Sequence, residues 1–225
     1  MKRIVILSFD DAVVNQRQYV APLLQEMGFG ATFFPCRWNR EWREKHPGAL
    51  MDKEALRELW EMGFEVGNHT WGHSRAEQVS TEEFMADVVR MEEYLREAGL
   101  PAPRTFAYPC GTSTPEVVEA LKRRGYRCAR SVENAPFRPG KDDWMRFPAA
   151  CIHDQTPGLL RAMLDQCTPE TPVAILYHGV PEIAHPWVNR DPAGFREDME
   201  MLKQEGVTVL SFQSYWELAG SAAPQ

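Results

Sequence analysis

Ile4-Val5-Ile6-Leu7-Ser8-Phe9-Asp10-Asp11 is an apolar run of strand length that stops on two adjacent carboxylates. Near-continuous apolar character marks a strand covered on both faces, as in a parallel sheet flanked by helices. Two neighbouring acids at a strand end repel each other, which is costly unless a cation neutralises one and the other has a task. The same pair could also just cap a turn or begin a helix.

A second short apolar run, Phe64-Glu65-Val66, leads into Gly67-Asn68-His69-Thr70-Trp71-Gly72-His73. On a helical turn, His69 and His73 would project from one face and both rings would reach one divalent ion. Two histidines at this spacing are also common on surfaces. What favours a site is that the acid pair and the imidazole pair each follow their own strand. Asp11 is the candidate third ligand, and two imidazoles plus one carboxylate leave positions open for water and substrate. Zinc is the default ion for such donors, with cobalt or nickel as alternatives.

Working outward, further strands are expected at residues 31–34, 105–107, 126–130, 146–152, 172–177 and 207–210. Helices are expected near residues 15–27, 52–62, 81–98, 114–124, 156–166, 193–204 and 213–218, and the Trp/Arg-rich stretch 35–47 reads as a loop. Ser80-Thr81-Glu82-Glu83 is a capping box, and Gly28, Gly63, Gly99 and Gly125 stand where helices stop. Strand and helix alternate throughout, so the chain is expected to be α/β, with a barrel of about seven parallel strands and helices outside. Asp10/Asp11, His69/His73, Tyr108–Gly111 and His178 all fall just beyond the C-terminal ends of these strands, the edge where barrel chemistry collects.

The 225 residues, 44% hydrophobic and 25% charged, suit one domain spanning 1–225, without a linker-like break or repeat. A net charge of -7 argues against nucleic acid or an anionic membrane as partner. The opening Met1-Lys2-Arg3 is followed by an apolar run too short for an export signal, and no stretch is long enough to span a bilayer. Five cysteines without a CxxC pair disfavour a disulfide framework, so a reduced, cytoplasmic setting is expected unless a leader has been trimmed.

The chemistry these groups allow is an acyl hydrolysis. Asp10 could take the proton of the attacking water, and His178, arriving from Pro172-Val173-Ala174-Ile175-Leu176-Tyr177, could protonate the leaving nitrogen or oxygen. The backbone N–H of Cys110, in the turn after Pro109, could help hold the oxyanion. The Cys110 thiol as nucleophile is the lesser reading, since a small residue suits a turn. Trp38, Trp71, Trp144 and Trp187 are candidate stacking platforms for sugar rings, and His185, beside Pro186 and Trp187, is placed to touch substrate.

Four ordered segments, Ser8-Phe9-Asp10-Asp11, His69-Thr70-Trp71-Gly72-His73, Phe106-Ala107-Tyr108-Pro109-Cys110-Gly111 and Leu176-Tyr177-His178, resemble motifs of the polysaccharide deacetylases, the NodB-like carbohydrate esterases of family four. The resemblance runs from Ile4 to Leu218. It implies a distorted (β/α) barrel, Asp10 as base, Asp11, His69 and His73 as ligands, His178 as acid, and substrate contacts around Tyr108, Pro109 and Gly111. The implied reaction removes acetyl groups from N-acetylated amino sugars or oligosaccharides, or from O-acetylated sugars. Two departures stand out. Ala107 occupies the place of an arginine that orients the base in many relatives, with Arg104 three residues too early. The fourth motif is matched only loosely, by Asp142-Asp143-Trp144. Alternatives are a hydrolase of another C–N bond in a small non-sugar amide, and an inactive carbohydrate-binding barrel.

Overall fold

The computed structural model describes residues 2–221. The strands are β1 (Ile4–Asp10), β2 (Thr32–Phe34), β3 (Glu65–Val66), β4 (Thr105–Ala107), β5 (Cys128–Arg130), β6 (Ala149–Cys151), β7 (Val173–Tyr177) and β8 (Thr208–Leu210). Between and around them lie α1 (Ala21–Met27), α2 (Arg40–Lys45), α3 (Lys53–Glu61), α4 (Thr81–Glu97), α5 (Pro115–Arg124), α6 (Leu159–Gln166), α7 (Pro192–Gln204) and α8 (Phe212–Ser221). No helix among the described residues is long and apolar enough to cross a membrane.

All the strand ladders are parallel. β7 runs along one edge of β1, from Val5 to Phe9. The other edge of β1 is shared, with β8 on Ile4–Ile6 and β2 on Ser8–Asp10. β3 extends β2, and β4 pairs with β5. Single bridges, Asn68 to Phe106 and Arg130 to Phe147, join β3 to β4 and β5 to the approach of β6, and β6 pairs with β7. Seven strands thus close a cylinder, with β8 wedged between the lower ends of β1 and β2. The wedge needs Gly30, whose N–H donates to the Val209 carbonyl at 3.1 Å. A Cβ there would stand 3.1 Å from the Ser211 nitrogen.

Side chains alternate across this wall. Val5, Leu7, Phe9, Phe33, Ile175 and Tyr177 face outward into the helical layer. Ile6, Phe34, Ala107, Cys128, Ala149, Ala174 and Leu176 fill the interior with Phe212 and Tyr215 of α8. Burial of each such large apolar side chain is worth about 1.5–3 kcal/mol. On the β4–β5 side, Phe106, Tyr108 and Ala129 pack outward against Phe84 and Val88 of α4 and Val117 and Leu121 of α5.

The expected capping box is present: Ser80 Oγ accepts from Glu83 N–H at 3.2 Å and Glu83 Oε2 accepts from Ser80 N–H at 2.9 Å. There are two local differences. The helix expected over 15–27 is present but passes through a π-turn at Gln16–Val20, with right-handed helical backbone at Asn15, Val20 and Ala21, and Pro22 stands just beyond that turn. The stretch 35–47 contains α2, six residues long and capped by Asn39, whose Oδ1 accepts from Trp42 N–H at 2.8 Å. So short a helix leaves little periodicity to read.

Candidate active site and metal centre

The inward parity of the strands carries up to the C-terminal mouth of the barrel. Asp10 continues the inner row of β1, Arg130 that of β5, Cys151 that of β6, and His178 follows Leu176 just beyond β7. All four line one cavity of about 740 Å³. Gln16 ties two of these ends together, its buried amide donating to the carbonyls of Asp10 (2.6 Å) and His178 (3.2 Å).

Asp10 is 3% exposed and receives Nη2 of Arg130, itself 1% exposed, at 2.5 Å. Burial opposes ionisation of Asp10, but the Arg130 guanidinium, with His69 and His178 adding, holds its carboxyl below the usual range. Asp10 is therefore a carboxylate fixed by a buried cation, with Oδ1 unpartnered. His178 is held neutral by burial, which pushes its pKa down to about 4, and the Cys151 thiol lies 3.9 Å from its Nδ1.

Neighbouring residues on a strand point to opposite faces, yet Asp10 and Asp11 both line this cavity. The reason is backbone. Asp11 (φ 72°) and Ala12 (φ 55°) adopt the left-handed conformation as the chain leaves β1, which turns the second carboxylate back over the barrel mouth. The Asp11 N–H still donates to the Phe34 carbonyl at 3.0 Å.

The imidazole pair lies on an irregular loop, not on the helical turn expected from its spacing; Thr70 (φ 62°) and His73 (φ 58°) are both left-handed. That loop is held by side chains. Asn68 Oδ1 accepts from Thr70 N–H (2.8 Å), and its Nδ2 donates to the Val88 carbonyl (3.1 Å) and the Tyr126 hydroxyl (2.7 Å). Thr70 Oγ1 accepts from His73 N–H at 3.0 Å, and Asp87 accepts from Gly72 N–H at 2.9 Å. Gly67 starts the loop because a Cβ there would collide with the Phe34 ring.

His69 Nδ1 is 2.7 Å from the Ala107 carbonyl, which can only accept, so the proton resides on Nδ1 and Nε2 keeps its lone pair. That Nε2 is buried without a hydrogen-bond partner, 3.8 Å from Asp11 Oδ1, while His73 Nε2 lies 3.9 Å from the same oxygen. Donor atoms of Asp11, His69 and His73 fall within 4.8 Å of one another. Burial pushes the Asp11 carboxyl up to about 7, with Asp10 and Glu182 adding to the rise, and burial lowers both imidazoles. Neutral imidazoles with a bare lone pair, beside a carboxylate that lacks a counter-charge, fit a divalent cation.

The remaining candidates divide. Trp38, Cys110, Gly111, His185 and Trp187 line the cavity. The Trp38 ring lies 4.1 Å from that of His73 and 4.9 Å from that of His185, and Trp187, 60% exposed, stands 5.2 Å beyond His185. His185 is held by Glu182, which accepts backbone N–H bonds from Gly179, Ala184 and His185. Trp71 is a correction: its ring packs edge-on to Tyr94 (5.6 Å) under the Arg90 guanidinium (4.1 Å), outside the cavity. Trp144 is another, packed among Phe137 (4.8 Å), Tyr215 (5.5 Å) and Phe147, because the interior offers an aromatic niche there. Pro109 is buried in the turn and does not line the cavity, and the Tyr108 ring points outward onto Phe106 (5.3 Å), leaving its remaining atoms to form wall. Asp142 pairs with Arg138 at 2.6 Å and Asp143 caps a turn through Met145 N–H, so this loose fourth motif stays off the site.

Arg130 is the residue that sequence reasoning missed. Ala107 does lack the guanidinium, but β5 supplies one from a neighbouring strand. The parity of Tyr126–Arg130 carried the clue: Cys128 and Arg130 share the inward face, and a charge inside a barrel needs a partner. Gln16 and Cys36, whose thiol donates to Asp11 Oδ1 at 3.3 Å, gave no sequence signal.

Comparison with known proteins agrees with this geometry. Residues 1–129, more than half the chain, match the family model described as "Polysaccharide deacetylase". The poly-beta-1,6-N-acetyl-D-glucosamine N-deacetylase of Staphylococcus aureus (strain MRSA252) is 24% identical over 162 residues, covering 68% of this chain and 56% of that protein, so the match spans little more than half of its length. Among solved structures, the peptidoglycan deacetylase PdaC from Bacillus subtilis superposes with a TM-score of 0.61 at 17% identity, covering 98% of this chain and 92% of the other. The Streptococcus pyogenes deacetylase PplD, in complex with acetate, gives 0.62 at 20% identity, covering 75% and 72%. The four motifs, the parallel barrel and the family match agree: the chain belongs to the polysaccharide deacetylase family.

Proposed function

We propose that this protein is a metal-dependent hydrolase that removes acetyl groups from N-acetylated amino sugars in oligo- or polysaccharides. The observation that carries the reading is that an Arg130-fixed Asp10, Asp11, His73 and His178 line one cavity, with the buried His69 completing the Asp11–His69–His73 donor set. Asp11, His69 and His73 would hold a divalent ion, zinc by the character of its donors, and the chemistry that ion would supply is a more acidic bound water and a polarised acyl oxygen.

The chain's own groups then handle protons and position. Asp10, ionised and pinned by Arg130, accepts the proton of the attacking water through Oδ1, its unpartnered oxygen. His178 serves the leaving amine, its backbone locked to that of Asp10 through Gln16. The turn at Cys110 (φ 54°) lines the cavity, where its backbone N–H is the candidate oxyanion donor. Trp38, His185 and Trp187 form an aromatic wall suited to the apolar face of a pyranose ring. Arg130 supplies a guanidinium to Asp10 where Ala107 cannot, so the arginine missing at Ala107 does not by itself favour a small non-sugar amide as substrate.

The test is acetate release by the metal-loaded protein on chitooligosaccharides, acetylated xylan, acetylated monosaccharides and cyclic ureides. Turnover is expected on the N-acetylated sugars. Ureide cleavage alone would move the protein to the non-sugar amide class, and metal binding without turnover on any of these would make it an inactive carbohydrate-binding barrel.

A further inference from the structure

Strand parity does not set the direction of the Asp11 side chain, because Asp11 sits at φ 72° where the chain has left β1. Something else must aim the carboxylate. Its Oδ2 faces His185 Nδ1 at 3.9 Å, too far for a hydrogen bond. Its Oδ1, 3.8 Å from His69 Nε2 and 3.9 Å from His73 Nε2, accepts from the Cys36 thiol at 3.3 Å. Cys36 is 0% exposed and Asp11 2%, so the thiol and the carboxylate meet in buried surroundings.

We propose that Cys36 is a positioning residue of the metal centre: its S–H donates to Asp11 Oδ1 and turns that carboxylate toward His69 and His73. The thiol acts through Asp11 and is not itself a ligand. A carboxylate oxygen has two lone-pair directions, so one can accept from sulfur while the other is offered to a cation. Groups that hydrogen-bond a metal-binding side chain in this way fix its rotamer and tune its donor strength.

The platform under Cys36 is rigid. Pro35 precedes it, and the next residue is tied at both ends, Arg37 N–H to the Trp71 carbonyl (2.8 Å) and Arg37 Nη1 to the Met51 carbonyl (2.6 Å). The segment therefore spans from the end of β2 to the imidazole loop, and Cys36 lies between the two sources of ligands. A buried cysteine is most often a small hydrophobe, and Cys167 shows that case: its thiol donates to the Ile4 backbone carbonyl at 3.2 Å. Cys36 differs in spending its one weak donor on the carboxylate of the centre.

The inference rests on the Asp11–His69–His73 centre and not on the substrate, and its readout is metal affinity. Zinc and cobalt dissociation constants of the full chain are measured by competition with a chromophoric chelator. C36A should weaken binding about 10- to 100-fold, C36V should behave alike if C36A does not fold, and C36S, which keeps a donor, should stay within a few-fold of wild type. C167A, which also loses a thiol, should leave affinity unchanged. Unaltered affinity in C36A or C36V overturns the proposal. So does a sulfur-to-cobalt charge-transfer band in the wild-type cobalt protein, since it would make Cys36 a ligand. Loss of deacetylase activity on every substrate, with this affinity pattern intact, would count against the proposed function alone.

Discussion

Arg130, Cys151 and His178 reach the cavity by strand alternation or its immediate continuation, whereas Asp11 and His73, which line it, and the buried His69 beside them stand on backbone that has left the strands. On the first side the sheet ladder fixes side-chain direction, and the price of misplacing a residue is paid in the fold itself. On the second side φ is 72° at Asp11, 62° at Thr70 and 58° at His73, and direction depends on individual bonds from Phe34, Asn68, Thr70, Ala107 and Cys36. The contrast teaches that the half proposed to move protons and the half proposed to hold metal should fail differently: the first through stability and turnover, the second through metal affinity.

The sharpest attempt to break this contrast is Asp10→Asn, which should lower kcat about 100- to 10,000-fold while stoichiometric metal is retained. Acetate release and metal content read the two separately, and metal loss in this variant would blur the halves. Arg130→Met comes next. It strands the Asp10 carboxylate without its cation, so denaturant unfolding should show a loss of about 3–5 kcal/mol. His73→Ala, by contrast, should abolish metal binding while the metal-free protein keeps its stability to within about 1 kcal/mol; a large destabilisation there would refute the division.

A pH series sharpens it further. The Asp11 carboxyl of the metal-free protein stands near 7, above its ordinary value, so below pH 7 a cation must displace its proton. Affinity should fall about tenfold per unit as pH drops below that point and depend less on Asp11 above it, with proton release visible as a buffer-dependent binding heat. Thr70→Ala removes the acceptor of the His73 N–H, worth about 0.5–1.5 kcal/mol, and should surface as a few-fold loss of metal affinity. The smallest effect belongs to Trp187→Ala: 60% exposed, it should leave stability within about 0.5 kcal/mol and raise KM on sugar substrates.

Most of the barrel is legible in the sequence because its strands are buried on both faces and read as unbroken apolar runs such as Val173–Tyr177. The donor set is legible for another reason: a metal site calls for those residue types, two imidazoles and a carboxylate. What escapes is whatever depends on third dimension alone. Arg130 is distant in sequence from every motif and meets Asp10 only because β5 curves round to face β1. Trp71 and Trp144 look like platforms in the sequence, and only packing reveals that one covers Tyr94 and the other fills a niche beside Tyr215. The helical turn expected for His69 and His73 fails because Asn68 offers the Thr70 N–H a side-chain acceptor, drawing the backbone away from helix.

The cylinder is stitched unevenly. Between β3 and β4, and again between β5 and β6, its wall lacks a strand ladder and is joined by a single bridge with a few flanking backbone hydrogen bonds, and those seams involve Asn68, which adjoins His69, and Arg130, which grips Asp10. Warming that begins to open either seam would therefore disarm the protein before it melts. Catalysis should be the earliest casualty of heat, lost some degrees below the temperature at which the helices unravel.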